Sequence, residues 1–211
     1  PAVVVTPPDV GPIVNPANGH SYYLLAAETW TDAESAAIAL GGPFLGTVEE
    51  DVERAGMPIV TVAQGGTLLP DRDYYFAADE RFADIRQRYT EYLATIFGLA
   101  GRPTAVADAR AVLALETAIA RVQWTQVEMG DPARVPAKLS LRALEREMPG
   151  FDWSSWARPQ GIDRTGYVVL NQPSFFKGFA ALVATAPAGM SIETWKAWLR
   201  SRVLTAAAAR A

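Results

Sequence analysis

Cysteine is absent from the 211 residues, and histidine occurs once, as His20. The first absence excludes a disulfide framework, a thiolate nucleophile and a cysteine-bound metal, and it leaves the redox compartment unread. The second excludes the HExxH zinc arrangement, which needs two imidazoles one helical turn apart and a carboxylate to activate water. A Ser-His-Asp arrangement would have to use His20, which sits in a Gly19-His20-Ser21 loop without an elbow and is expected to be solvated. Long apolar runs are also missing. The run at 2–5 is short and lacks a basic flank, so neither a signal peptide nor a membrane span is expected. A basic excess is lacking too: a formal charge of -4 and a pI near 5.1 oppose a general nucleic-acid binder. "QGGTLLP" lacks the GxxxxGK spacing of a phosphate loop, and no strand-GxGxxG-helix unit can be drawn.

What is present is a globular mixture, half apolar and one-fifth charged. A chain of this length can bury roughly 70% of its unfolded surface. Charge is unevenly spread. Residues 1–42 hold Asp9, Glu28, Asp32 and Glu34 without a single Lys or Arg, and so carry the whole net charge of -4. That asymmetry suggests two sequence origins. Pro7, Pro8, Gly11, Pro12, Pro16 and Gly19 forbid a helix at the start. A strand is expected over 22–25, then a helix through "DAESAAIAL" capped by Thr31 or Asp32 and stopped by Gly41 and Gly42.

From about residue 79 the spacing is helical. Phe82, Ile85, Tyr89, Leu93 and Ile96 share one face, with Gly101 as the stop. A second helix is expected over 104–123, with Val106, Ala109, Val112, Leu113, Ile119 and Ala120 facing the core. A shorter helix follows Ser140 and is interrupted at Met148-Pro149-Gly150, and Asp152 can cap one more turn through Trp153 and Trp156. "YVVL" at 167–170 reads as a strand, with a second β element at 59–62. Pro173 opens a further helix, and Ser191 caps the last, which holds Trp195, Trp198, Leu199 and Val203. The fold class expected is mainly α, a multi-helical lobe with a small N-terminal α+β element.

Two acidic clusters invite a chemical reading. Glu49, Glu50, Asp51 and Glu53 lack the alternating oxygen ligands of a calcium loop and are expected to form a solvated helical turn. Asp71, Asp73, Asp79 and Glu80 are expected to be helix-start charges, with Arg72 in a surface ion pair. The paired tryptophans could stack on sugars, but their helical spacing among aliphatic neighbours favours core packing. No catalytic, cofactor-binding or metal-binding residue is assigned.

Six segments carry a resemblance. "QGGTLLPDRDYYF", "IRQRYTEYLATIFGLAG", "ALETAIARVQWTQVE", "PGFDWSSW", "NQPSFFKGF" and "TWKAWLRSRVL" occur in an order that resembles the bacterial branch of the neprilysin-like zinc metallopeptidases, over residues 43–211. The resemblance implies a helical lobe that helps enclose a chamber over a thermolysin-like catalytic lobe. It implies an extracytoplasmic setting, and zinc only where the catalytic lobe is supplied. The family's zinc ligands, general base and "NA(F/Y)" substrate strand lie downstream of Ala211, so none is carried over. Gln126, Met129, Gly130 and Val135 stand where the family has a more polar, arginine-bearing pattern around "RxENRD…YNK".

Residues 1–42 resemble the start of a C-type-lectin-like domain, through "GPIVNPANGHSYYLLAAETWTDAESAAIALGG". The EPN- and WND-like calcium motifs and the usual cysteines are missing. The reading is therefore a lectin-like leader over 1–42 and a metallopeptidase-like helical lobe over 43–211. Its expected function is a non-catalytic module that acts as a scaffold or peptide-contacting surface. The alternatives are a truncated or split peptidase needing a catalytic-lobe partner chain, and a lectin-like carbohydrate binder. The partners expected are a peptide or that catalytic lobe, with no nucleic acid and no membrane; the oligomeric state is left open.

Overall fold

"PIVTVAQ", rich in β-branched residues, forms strand β4 (Pro58–Gln64), and "FLGTVEE" ahead of it forms strand β3 (Phe44–Glu50). The turn between them contains Gly56 at φ +79°, a conformation that glycine reaches without steric cost. The structure, a computed structural model, describes residues 42–158, 166–185 and 190–208. It also describes two short strands, β1 (Ile13–Val14) and β2 (Ser21–Tyr22), which pair antiparallel. The rest of the strand expected at 22–25, the helix expected at "DAESAAIAL" and His20 lie outside the described residues.

β3 and β4 pair antiparallel from Phe44↔Gln64 to Glu50↔Pro58. Strand β6 (Tyr167–Leu170) lies parallel to β4, and β5 (Ala137–Ser140) lies antiparallel to β6, giving the order β3-β4-β6-β5. The parallel β4/β6 step needs a long crossover. Helices fill it: α1 (Glu80–Leu99), α2 (Ala105–Val122), α3 (Gln126–Met129), α4 (Leu141–Glu147) and α5 (Trp153–Ala157). Helices α6 (Pro173–Thr185) and α7 (Ile192–Ala208) follow β6. The fold is mainly α with a small sheet, as the sequence indicates. No helix of the described residues is long and apolar enough to cross a membrane.

Local chemistry sets the helix starts. Asp79, Ser140 and Asp152 accept hydrogen bonds from the backbone N–H groups of Arg81, Ala143 and Ser155, satisfying donors that a first helical turn leaves free. Gly101, at φ +72°, closes α1 as expected. On α2 the buried stripe is Ala109, Val112, Leu115, Glu116, Ile119 and Ala120. Val106 departs from the expectation. It is 56% exposed while Ala105 beside it packs against the core, so Val106 lies off the buried stripe of the helix.

The expected tryptophan packing holds. Phe44, at the start of β3, stacks on Trp153 with centroids 5.6 Å apart and meets Trp156, Phe175, Phe176 and Phe179 edge-on or tilted. Trp153, Trp156 and Trp198 are buried, so their faces are closed to a sugar ring. This cluster fixes the sheet against α5 and α6.

Glycines mark the closest approaches. A Cβ on Gly178 of α6 would lie 2.8 Å from Val122 Cβ, whereas one on Gly98 of α1 would meet nothing within 4 Å. Gly150 combines φ +109° with a Cβ position 2.6 Å from the Ala180 carbonyl oxygen. The same substitution should therefore have opposite signs. Gly98→Ala is expected to raise unfolding stability by about 0.5–1 kcal/mol through helix propensity. Gly178→Ala is expected to lower it by about 1–3 kcal/mol through overpacking, and Gly150→Ala by at least as much. Urea denaturation of the three variants checks the pattern.

Candidate functional site

Three polar constellations could carry function. The first contains "QGGTLLPDRDYYF". Gly65 and Gly66 let the chain pass close to Pro43 and α2, since a Cβ on either would lie within 3.2 Å of the Pro43 carbonyl oxygen or Ile119 Cγ2. Pro70 and Asp71 then lead into a 3-10 turn at Arg72–Tyr75, capped by Asp71 accepting from Asp73 N–H. The Tyr75 hydroxyl accepts from Leu68 N–H and Leu69 N–H at 3.0 and 2.9 Å and donates to Glu116 Oε2 at 2.7 Å. Tyr89 donates to the same oxygen at 2.8 Å, and Arg202 Nη2 donates to Oε1 at 3.3 Å. Arg202 also reaches the Thr67 carbonyl, and Trp198 Nε1 the Gly66 carbonyl.

Glu116 is fully buried. Burial pushes its pKa up, while Arg202 and the two hydroxyls oppose that shift. The tyrosine hydroxyls are pushed up as well, by burial first and by the neighbouring carboxylate second. Such a closed network holds the segment in place and offers no surface to a substrate. Asp71 and Asp73 serve the turn, in line with the helix-start reading. Arg72 differs from its expected ion pair: its Nε donates to the Ala120 carbonyl at 3.1 Å and its guanidinium lies over Phe76. The negative end of the α2 dipole attracts the cation there, although the Ala120 carbonyl also accepts from Gln123 N–H.

The second constellation corrects an expectation. Glu49, Glu50, Asp51 and Glu53 do not form a solvated helical turn; they lie at the end of β3 and in the hairpin turn that follows it. Asp51 is 1% exposed. Its carboxylate accepts from Lys138 Nζ at 2.8 and 2.9 Å, from Arg54 Nε at 2.9 Å and from Glu53 N–H at 3.1 Å. Lys138 also reaches Glu53 at 2.6 Å, and the Tyr167 ring lies beside both Arg54 and Lys138. These donors, Lys138 foremost and Arg54 next, lower the Asp51 pKa from 3.8 to about 2. The signal that could have revealed this was Thr47-Val48 facing the β-branched run at 59–62 across a turn that contains Gly56, which outweighs the run of acids.

The third is an open groove of about 360 Å³ beside Trp124, Met129, Asp131, Arg134 and Gln172. Gln64 holds Trp124, accepting from its N–H at 2.7 Å and donating to its carbonyl at 3.0 Å. Gln172 Oε1 accepts from Gln64 N–H at 2.9 Å. Arg134 lies over the Trp124 ring and pairs with Glu128, which closes a capping box with Thr125. Of the residues that depart from the family pattern, Gln126 bonds Asp71, Met129 and Gly130 line the groove, and Val135 is exposed. The groove could hold a small polar group, but its charges are already paired.

Among the described residues no three His, Cys, Asp or Glu side chains are grouped to hold a metal ion.

Two variants probe these networks. Glu116→Ala strands Arg202 and two hydroxyls in the core and is expected to cost about 3–5 kcal/mol of unfolding stability. A urea-denaturation loss below about 1 kcal/mol would show that the network is dispensable. For Asp51 the folded pKa lies below the ordinary one, so the stability it contributes is complete above about pH 4 and drains as pH falls toward 2. Asp51→Asn should flatten that acid limb in denaturation midpoints measured against pH.

Residues 24–210 match the N-terminal sequence model of peptidase family M13, a match that begins inside the acidic leader. Neprilysin-2 of Caenorhabditis elegans is 28% identical over 112 residues, 52% of this chain and 15% of that protein. The endothelin-converting enzyme homolog of Locusta migratoria is 28% identical over 120 residues, 56% of this chain. The chain thus spans only 15% and 16% of the lengths of these relatives. The zinc metalloprotease Zmp1 of Mycobacterium tuberculosis, in its open state, superposes with a TM-score of 0.71 at 29% identity, covering 84% of this chain and 28% of that one. PepO from Lactobacillus rhamnosis HN001, at 19% identity and a TM-score of 0.58, shares the fold. With nearly the whole chain matched, this protein belongs to peptidase family M13 and carries that family's N-terminal region.

Proposed function

We propose that this chain is a non-catalytic helical module of a zinc metallopeptidase architecture, serving as a scaffold or peptide-contacting lobe. The observation that carries this reading is the superposition on Zmp1 over 84% of this chain at 29% identity. Zinc does not fit the donor set at hand. The described residues offer no ligand cluster, and the single histidine cannot supply the pair of imidazoles that HExxH requires. No bond-breaking step is therefore derived for these residues. The buried carboxylates Glu116 and Asp51 are closed into ion pairs, which suits a load-carrying lobe better than a reacting site.

Coverage of 28% of the Zmp1 chain favours a second reading, in which hydrolysis arises only when a catalytic lobe is supplied. Zinc content and peptide hydrolysis of the chain by itself test the first reading. Less than a tenth of an equivalent of zinc and no chelator-sensitive cleavage of a quenched-fluorescence peptide are expected, on the order of background. One tightly held zinc per chain, with hydrolysis abolished by a chelator, would sink the non-catalytic reading.

A further inference from the structure

The two edges of the sheet are built differently. Strand β5 is four residues long, follows Pro136, carries Lys138 and ends where Ser140 caps α4, all features that blunt an edge. Strand β3 also follows a proline, Pro43, but it is seven residues long, carries no lysine and does not end in a helix cap. It pairs with β4 over all seven of its residues without a bulge, and "FLGTVEE" contains neither proline nor a basic residue. Its far side presents alternate N–H and C=O groups with no neighbouring strand among the described residues. Only Phe44 of this strand is buried. Leu45 and Val48, on opposite faces, are 59% and 71% exposed, and Val52 beyond them is fully exposed.

We infer that the β3 edge is a docking site for an extended peptide segment, added as a fifth strand antiparallel to β3 and carrying basic residues at its amino end. Charge selects this occupant. Glu49 and Glu50 are exposed at one end of the edge. The nearby cations, Arg54 and Lys138, are drawn to Asp51 at 2.9 and 2.8 Å, and Lys138 also to Glu53 at 2.6 Å, which leaves Glu49 and Glu50 acidic along the edge. An antiparallel strand brings its amino end opposite the carboxyl end of β3, so its basic residues meet Glu49 and Glu50. Apolar side chains further along it cover Leu45 on one face and Val48 on the other. A second copy of β3 fits poorly. Parallel pairing would set like carboxylates side by side, and antiparallel pairing would press Glu49 and Glu50 against Leu45 and the buried Phe44.

The test uses the full chain and two synthetic seven-residue peptides. One has two lysines at its amino end followed by alternating valine and threonine; the other has glutamates in place of the lysines. The lysine peptide is expected to bind about tenfold more tightly in calorimetry. It should also slow amide exchange within residues 45–50. Leu45→Lys with Val48→Lys should abolish binding while leaving the thermal midpoint unchanged. Glu49→Lys with Glu50→Lys should reverse the preference between the peptides. Equal affinity for both peptides, no binding of either, or protection confined to other segments would overturn the proposal. So would a β3-dependent dimer in sedimentation that the lysine peptide does not dissociate.

Discussion

The carboxylate of Glu116 is where the lobe is tied together. It sits fully buried on α2 and receives Tyr75 from the 3-10 turn, Tyr89 from α1 and Arg202 from α7. A carboxylate without these donors could not remain charged in an apolar interior, and the donors without it would be stranded in turn. Each element therefore depends on the others being placed. The arrangement is not fully satisfied: Arg202 Nε has no hydrogen-bond partner, although the Trp198 ring lies 5.0 Å beneath the guanidinium. Networks of this kind specify one packing more than they add net stability.

From that point the constraint passes to the sheet. The Tyr75 hydroxyl and Arg202 hold the backbone at 67–69, and the same loop begins at Gln64, the last residue of β4. Gln64 in turn binds both Trp124 beyond α2 and Gln172 ahead of α6. Phe44 pairs with Gln64 across the hairpin and enters the aromatic cluster on α5 and α6. One loop thus couples the polar core to the aromatic core. This explains why "QGGTLLPDRDYYF", one of the segments that carry the resemblance, contributes no reacting group: its side chains are consumed in holding helices and sheet in register.

Elements with strong local signals were legible in the sequence. The apolar face of α1, the caps at Asp79, Ser140 and Asp152, the stop at Gly101 and the strand at Tyr167–Leu170 all follow from spacing and capping chemistry. Strands β3 and β5 were not. β3 is an exposed edge whose side chains show no alternation of polar and apolar, and β5 is four residues set between a proline and a helix cap. Glu116 was invisible for a different reason. Within α2 it occupies a core position that helical periodicity assigns to an apolar residue, and its partners lie 27 to 86 residues away. Asp51 likewise depends on Lys138, 87 residues downstream, so its local run of acids pointed to solvent. Spacing reveals which face of a helix is buried, but not which distant donor will meet it.

The placement of charge argues for what the lobe can and cannot do. Polar groups that might have reacted are closed into pairs: Glu116 with Arg202, Asp51 with Lys138, Glu128 with Arg134. A charge held this way has lost the freedom to change partners during a reaction, and its energetic role is to fix geometry. Backbone groups along β3 are in the opposite condition, since half of them face outward with apolar and acidic side chains around them. Recognition by this lobe therefore belongs to its main chain at the sheet edge more than to its buried ionic clusters. The acidic bias of the edge arises from the same contacts that bury Asp51, because they draw Arg54 and Lys138 to Asp51 and Glu53 and leave Glu49 and Glu50 without a cation among the described residues. Stability of the hairpin and character of the edge are two consequences of one ion cluster.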